Sequence, residues 1–194
     1  MIYVTFTSIK AALAKKGYTF YTNGDYNLNL IGIRDSRKAT NKFDDILCCL
    51  YKKRGSWNMD VWPCSTDPGT YWLKHGLAKG TAVLVPGQYK GAYCIGKHRG
   101  DYDALVQAEP VTVWRDSNGD ATLDYEHPET GIFGINIHRA NAAMRSQIVE
   151  KWSAGCQVLA DPDDFAKLMA LAKKSAAIYG NCFTYTLLER KDVE

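Results

Sequence analysis

Residues Gly131 to Ala160 read GIFGINIHRANAAMRSQIVEKWSAGCQVLA, and the fold and the chemistry of the chain both turn on them. A short apolar run ends in His138. A second is entered through Ser153-Ala154-Gly155-Cys156, with fourteen residues between the histidine and the serine. Paired as neighbouring strands, the two runs bring the imidazole of His138 and the sulfur of Cys156 face to face across their ends. A thiol with a pKa of about 8.5 is mostly protonated at neutral pH, so an imidazole that takes its proton makes it a nucleophile. Gly155 lets backbone approach a substrate closely, and the amides of Gly155 and Cys156 can then point at a developing oxyanion. The chemistry this permits is acyl transfer. The plainer alternative is a packed core thiol and a satisfied surface histidine, since most free cysteines simply pack.

Outward from this segment the chain is rich in strands. Leu28 to Ile33, Trp57 to Trp62, Thr81 to Val85, Val111 to Trp114 and Ile132 to Ile137 are short, carry β-branched and aromatic residues, and are bounded by Gly, Pro, Asn or Asp. Phe43 to Tyr51 (FDDILCCLY) fits either a strand or a helical turn, because its apolar residues satisfy both periods. Ser8 is placed to cap a short helix over Ile9 to Lys16, which Gly17 would end. Near the C-terminus Asp161 is placed as the cap of a long helix. Pro162 fits its first turn, Asp163 and Asp164 complement its dipole, and Phe165, Leu168, Leu171 and Ala172 form an apolar stripe running to about Tyr179. Gly180 stops it, and Phe183 to Leu188 reads as a final strand. The expected class is α+β with a predominance of strand. No internal repeat or Pro/Ser-rich linker divides the sequence, so residues 1–194 are read as one domain.

Composition narrows the function classes. With 194 residues, 46% hydrophobic and 23% charged, the chain can bury a real core, roughly 70% of the surface its unfolded form exposes. Lys plus Arg number 24 against 21 Asp plus Glu, a scattered formal charge of +3 that leaves no nucleic-acid footprint. No run approaches the ~20 apolar residues of a membrane span, and Met1 to Lys16 lacks the apolar core of a secretory signal, which implies synthesis in the cytoplasm. The six cysteines (Cys48, Cys49, Cys64, Cys94, Cys156, Cys182) include no pair of CxxC motifs at zinc-site spacing. All but Cys156 read as packing thiols.

Three further features were weighed. Tyr93 to Tyr102 (YCIGKHRGDY) reads as a loop lining a substrate groove, with Tyr93, His98 and neighbouring Lys97 or Arg99 near a substrate carboxylate, or equally as a solvated turn; Arg139 is a further candidate contact. His98 is also an alternative base. Asp116-Ser117-Asn118-Gly119-Asp120, followed by Asp124, has the alternating oxygen ligands that open a calcium loop. Ala121 stands where the sharp-turn Gly belongs and His127 where the closing Glu belongs, and an Asn-Gly turn between strands explains the segment as well. His75 and His127 lack ligand partners at zinc spacing, and Trp152 and the tyrosines Tyr18, Tyr21 and Tyr26 read as packing residues.

The pattern His138, fourteen residues, Ser153-Ala154-Gly155-Cys156 resembles the active-site signature of the L,D-transpeptidase catalytic domain. The lead-in GIFGINI and the upstream Trp62 to Gly69 (WPCSTDPG) are similar to that family as well; residues 1–55 have no counterpart in it. The resemblance implies an L,D-transpeptidase-like β-sandwich, with Cys156 as nucleophile, His138 as general base, Ser153 as a positioning residue, and Gly155 with Cys156 as amide donors. It implies activity on peptidoglycan stem peptides without metal or cofactor, as cross-linking or hydrolysis. The chain departs from the family pattern at Ala154, where a second His is common, at Arg139, where Gly is usual, and at Gln157-Val158, which lacks a polar Arg or Asn. A wall-active protein made in the cytoplasm fits a bacteriophage or prophage lysis enzyme. The rival is a non-catalytic wall-binding or virion module of the same fold. A papain-type peptidase is disfavoured, because it places the Cys upstream of its His at a helix start.

Overall fold

The computed structural model describes residues 3–35, 41–76, 80–120 and 122–194. In chain order the elements are α1 (Phe6–Lys15), β1 (Asn29–Arg34), β2 (Asp45–Lys53), β3 (Ser56–Ser65), α2 (Thr70–His75), β4 (Thr81–Leu84), β5 (Gly87–His98), β6 (Tyr102–Gln107), β7 (Val111–Asp116), β8 (Glu129–Gly131), β9 (Ile137–Arg139), β10 (Gln157–Leu159), α3 (Pro162–Tyr179) and β11 (Phe183–Glu189). Eight strands, in the order β1-β11-β5-β6-β9-β10-β3-β2, close into a barrel, and β4, β7 and β8 form a separate sheet. The strand-rich α+β class stands. A closed barrel with a small second sheet replaces the expected sandwich.

The ambiguous run FDDILCCLY is strand β2, and its unbroken apolarity has a two-sided cause. Leu47, Cys49 and Tyr51 join Leu30, Trp62 and Tyr185 in the main core, while Ile46, Cys48 and Leu50 join Ile31 and Ile33 beneath Ile9 and Leu13 of α1. Successive strand residues point to opposite faces, so a strand covered on both sides must be apolar throughout. Helix α1 begins earlier than the Ser8 cap implied. Thr5 Oγ1 accepts the Ser8 N–H at 3.0 Å and Ser8 Oγ accepts the Thr5 N–H at 3.1 Å, so Ser8 closes a capping box from inside the first turn. Helix α3 has the Asp161 cap, whose carboxylate accepts the Asp163 N–H at 2.9 Å, and it lays Phe165, Leu168, Leu171 and Ala172 on the main core.

Two stretches differ from the sequence reading for reasons of hydrogen bonding. Residues 132–136 form no strand, because the Gln107 side chain serves their backbone in place of a neighbouring strand: Oε1 accepts from Phe133 and Ile135 N–H at 3.1 and 3.0 Å, and Nε2 donates to the Gly131 carbonyl at 2.8 Å. Tyr93 to Tyr102 is not a loop but the turn end of a hairpin, β5 against β6, turned through Arg99 and Gly100 at positive φ. Among the described residues no helix is long and apolar enough to cross a membrane.

A buried polar network ties β1 and β2 to the turn after β3. Arg34, 2% exposed, donates to Thr66 Oγ1 at 3.0 Å, to the Thr66 carbonyl at 2.9 Å and to the Leu84 carbonyl at 3.1 Å. Its Nε also lies 2.8 Å from Asp67 Oδ1, a charge contact without hydrogen-bond geometry, because the single Nε–H is directed at Thr66. Asp45 accepts from the Asp35 N–H, the Thr66 N–H and the Thr66 hydroxyl at 2.7, 2.7 and 2.8 Å. Burial pushes both Asp45 and Asp67 upward, and the Arg34 charge opposes it. Removing a partner from such a site leaves uncompensated buried charge, so Arg34→Ala is expected to cost about 3–5 kcal/mol in urea unfolding. A loss below about 1 kcal/mol would show that the carboxylates protonate there without penalty.

Candidate active site

Strands β9 and β10 pair in parallel with Ile137 opposite Gln157, His138 opposite Val158 and Arg139 opposite Leu159. The Gln157 N–H donates to the Asn136 carbonyl at 2.8 Å, which carries the register back one step and sets Cys156 beside Asn136. His138 is thus matched with Val158 in the register, and Asn136 and Cys156 immediately precede the two strands. The expected pairing of the two runs is therefore present.

The Cys156 turn is held from three directions. Ser153 Oγ donates to the Cys156 carbonyl at 2.8 Å and accepts the Gly155 N–H at 3.1 Å. That second bond corrects one assignment: the Gly155 amide is already committed and is not an oxyanion donor in this conformation. Among the described residues the Cys156 N–H has no hydrogen-bond partner and is the amide that remains. Gly155 is required for its shape. Its φ is +122°, and a Cβ there would sit 2.2 Å from the Ala82 carbonyl oxygen of β4. The upstream WPCSTDPG turn supports the same segment: the Gly69 N–H donates to the Ser153 carbonyl at 2.9 Å, and a Cβ on Gly69 would sit 1.9 Å from the Glu150 carbonyl oxygen.

The Cys156 sulfur donates to the Gly134 carbonyl at 3.3 Å. Burial raises the thiol above its ordinary value, opposed by the Asn136 N–H and by the Arg99 charge, so the resting group is a thiol and not a thiolate. His138, 4% exposed, places Nδ1 2.8 Å from the Arg139 carbonyl and 3.4 Å from the Tyr102 hydroxyl. A carbonyl can only accept, so the ring proton is on Nδ1 and Nε2 keeps its lone pair for use as a base. No hydrogen bond joins the sulfur to this ring.

Beside His138 lies His98, expected from the sequence as a substrate contact or an alternative base. The His98 ring stacks on the His138 ring with centroids 4.1 Å apart and planes 22° apart. Asn136 sets its state: Oδ1 accepts the Gln107 N–H at 2.9 Å, so the amide nitrogen is the group that meets His98 Nδ1 at 3.0 Å, and His98 carries its proton on Nε2. A cavity of about 420 Å³ opens over this stack, lined by both histidines together with Arg99, Tyr102, Arg139 and Trp152. The Arg139 guanidinium carbon lies over the Tyr102 ring, 4.0 Å from its centroid. Cys156 is not among the residues that line this cavity. Tyr93 does not reach it either. Fully buried, it packs edge-on against Tyr185 in the barrel core at 5.7 Å, which removes it as a substrate contact. Tyr102 and Asn136 are the residues the reading missed as positioning groups; a polar Asn two residues before the histidine, inside the run Ile135-Asn136-Ile137, was the available signal.

Compared with protein-family models, with curated proteins and with solved structures, the chain has no match.

Burial, and next the stacked His98, lower His138 to about 3. An imidazole kept neutral when folded but free to protonate when unfolded gives its full support above about pH 6.5 and loses it as the pH falls towards 3. Each pH unit in that window is worth about 1.4 kcal/mol, so roughly 2 kcal/mol should be lost between pH 6.5 and 5 on account of this residue. His98, also lowered by burial, acts in the same sense. Urea unfolding of the wild type at pH 7 and pH 5 should show that loss, and His138→Gln should remove most of it. An unchanged loss in the variant would place the acid sensitivity elsewhere.

Proposed function

We propose that the chain is a cysteine-dependent acyl-transfer enzyme acting on peptidoglycan stem peptides, similar in chemistry to L,D-transpeptidases and suited to a phage or prophage lysis role. The observation that supports this reading is the parallel register of β9 and β10, which brings the run entered through Cys156 alongside the run that holds His138, whose Nδ1 is taken by the Arg139 carbonyl. In the proposed reaction the thiol turns away from the Gly134 carbonyl and passes its proton to His138 Nε2, and the sulfur attacks a peptide carbonyl. The Cys156 N–H stabilises the oxyanion. His138 then returns the proton to the leaving amine, and a thioester remains on Cys156. Attack by water gives hydrolysis, and attack by a second peptide's amine gives a cross-link. Arg99, Arg139 and Lys151 around the cavity suit a substrate bearing free carboxylates, and the Arg139 guanidinium, 4.0 Å over the Tyr102 ring, has the fork for a two-point contact.

The deciding measurement is mass spectrometry of muropeptides after incubation of purified peptidoglycan with the wild type and with Cys156→Ala. A defined cleavage or new linkage is expected for the wild type and should vanish in the variant. Identical profiles would retire the enzymatic reading for this substrate.

One observation favours the second reading, a non-catalytic wall-binding or virion module: the resting thiol is bonded to a carbonyl and not to the imidazole. Alkylation at neutral pH separates the two. Cys182 is exposed and should react under either reading, which makes it the internal reference. Cys48, raised to about 12 by burial, and the buried Cys49 and Cys64 should stay silent. A catalytic Cys156 should be labelled alongside or ahead of Cys182. Labelling as slow as that of Cys64 would favour the module.

A further inference from the structure

The loop from β7 to β8 was read in the sequence as either a calcium loop or an Asn-Gly turn, and neither the fold nor the proposed chemistry accounts for its carboxylates. Its oxygen-bearing side chains recur at every second residue: Asp116, Asn118, Asp120, Thr122 and Asp124. This is the spacing with which a loop wraps a hard cation, the seventh position giving its backbone carbonyl.

Asp116 supplies the independent observation. It is 1% exposed at the end of β7, and its Oδ1 is buried without a hydrogen-bond partner. Its other oxygen accepts the Asp124 N–H at 3.0 Å, which aims the carboxylate into the loop. The charges facing it are those of Asp120 and Asp124, and both disfavour its ionised form. Among the described residues no cationic side chain pairs with any of the three; the nearest in sequence, Arg115, is engaged by Glu129 at 2.8 Å. A buried, unpartnered carboxylate among like charges is a costly arrangement unless a positive group joins it.

The centre of the loop already holds a substitute for that group. The Asn118 amide nitrogen donates to Asp120 Oδ2 at 3.1 Å and to Asp124 Oδ2 at 2.9 Å. As folded here no three acidic, His or Cys side chains among the described residues converge closely enough to hold a metal. A calcium ion at the position of that nitrogen would need these two oxygens to close by roughly 0.5 Å to reach 2.3–2.6 Å, with the Asn118 amide turned to offer its oxygen in exchange for the bond that this oxygen accepts from the Asp120 N–H at 3.0 Å. Leu123, buried against Leu73 and Val83, anchors the loop while this happens.

We propose a calcium site in the β7–β8 loop, with Asp116, Asn118, Asp120 and Asp124 as side-chain ligands and the Thr122 carbonyl completing the protein's share. With His127 in place of a closing bidentate Glu, the site belongs in the weak range, a Kd of about 0.1–1 mM. Its position gives it a structural consequence. Asp116 pairs with Thr81 and Arg115 with Ala82 across β7 and β4, and the Ala82 carbonyl is the group pressed against Gly155. An ion here braces the strand that backs the Cys156 turn.

The test uses the full chain, stripped of divalent ions with a chelator and titrated with CaCl2 by calorimetry and by thermal unfolding. A single site of about 0.1–1 mM is expected, with a rise in Tm of roughly 4 °C at about 10 mM calcium and little at equal MgCl2, which demands stricter octahedral geometry. Asp120→Asn should melt like the wild type in EDTA and show no calcium response. Asp116→Asn should melt at or above the wild type in EDTA, because it discharges the unpartnered carboxylate, and should also lose the response. No heat and no shift in the wild type would overturn the site. An equal shift in Asp120→Asn or with magnesium would do the same by revealing a general ionic effect.

Discussion

Two three-residue strands complete the barrel, and because β9 and β10 run parallel, the chain between them has to cross from one end of the sheet to the other. Such crossovers are usually helical, which satisfies their backbone internally. Residues 140–156 manage only one 3₁₀ turn, Glu150–Trp152. Their amides and carbonyls are served from outside instead. Ala140 and Ser146 donate to the carbonyls of Leu159 and Ala160 at 3.0 and 2.9 Å, and Val149 and Glu150 donate to the carbonyl and side chain of Asn41 at 3.0 and 2.8 Å. Each bond is worth only about 1 kcal/mol net, but an unserved buried group costs more, so the path of the crossover is specified by where its partners lie.

That requirement explains why the site draws on the whole chain. Asn41 and Gly69 come from segments far before the histidine, yet they hold Glu150 and Ser153, and Ser153 holds the cysteine. Arg34 and Asp45 in turn hold Thr66, three residues before Gly69. The first 45 residues thus supply Arg34, Asn41 and Asp45, whose polar contacts lead through Thr66 and Glu150 towards the Cys156 turn. A barrel closed by such short strands has little ladder to spare, with Leu105 opposite Ile137 the single register pair between β6 and β9, and side-chain bonds make up the difference.

The elements legible in the sequence were those whose stability is local. The Asp161 cap, the Pro162 start and the Gly180 stop specify α3 within a few residues, and the His138 and Ser-Ala-Gly-Cys runs were recognisable as two strand ends. What was not legible depends on distant partners. Gln107 dissolves the expected strand over residues 132–136 by serving its backbone from another element, and nothing in the local pattern announces this. Tyr93 shares the segment YCIGKHRGDY with His98, but on a hairpin alternate residues face opposite ways, and Tyr93 points into the barrel while His98 lines the cavity. The neutral state of His98 follows only once the Gln107 N–H is seen to fix the Asn136 amide.

The electrostatics of the stack bear on how the proposed proton transfer would proceed. Arg99 favours the thiolate of Cys156, but Arg99, Arg139 and a neighbouring His98 all disfavour an imidazolium at His138. An ion pair between sulfur and ring is therefore supported on one side only, and the neutral thiol with neutral imidazole is the resting state. Under that constraint a proton taken by Nε2 is poorly held and readily passed on, which suits a base that must become an acid within the same turnover. The Arg139 carbonyl works the other way, accepting from Nδ1 and stabilising the charged ring for the interval in which it exists. A substrate carboxylate meeting Arg99 and Arg139 would weaken their repulsion of the imidazolium, so binding and activation would be coupled through the same two guanidinium groups.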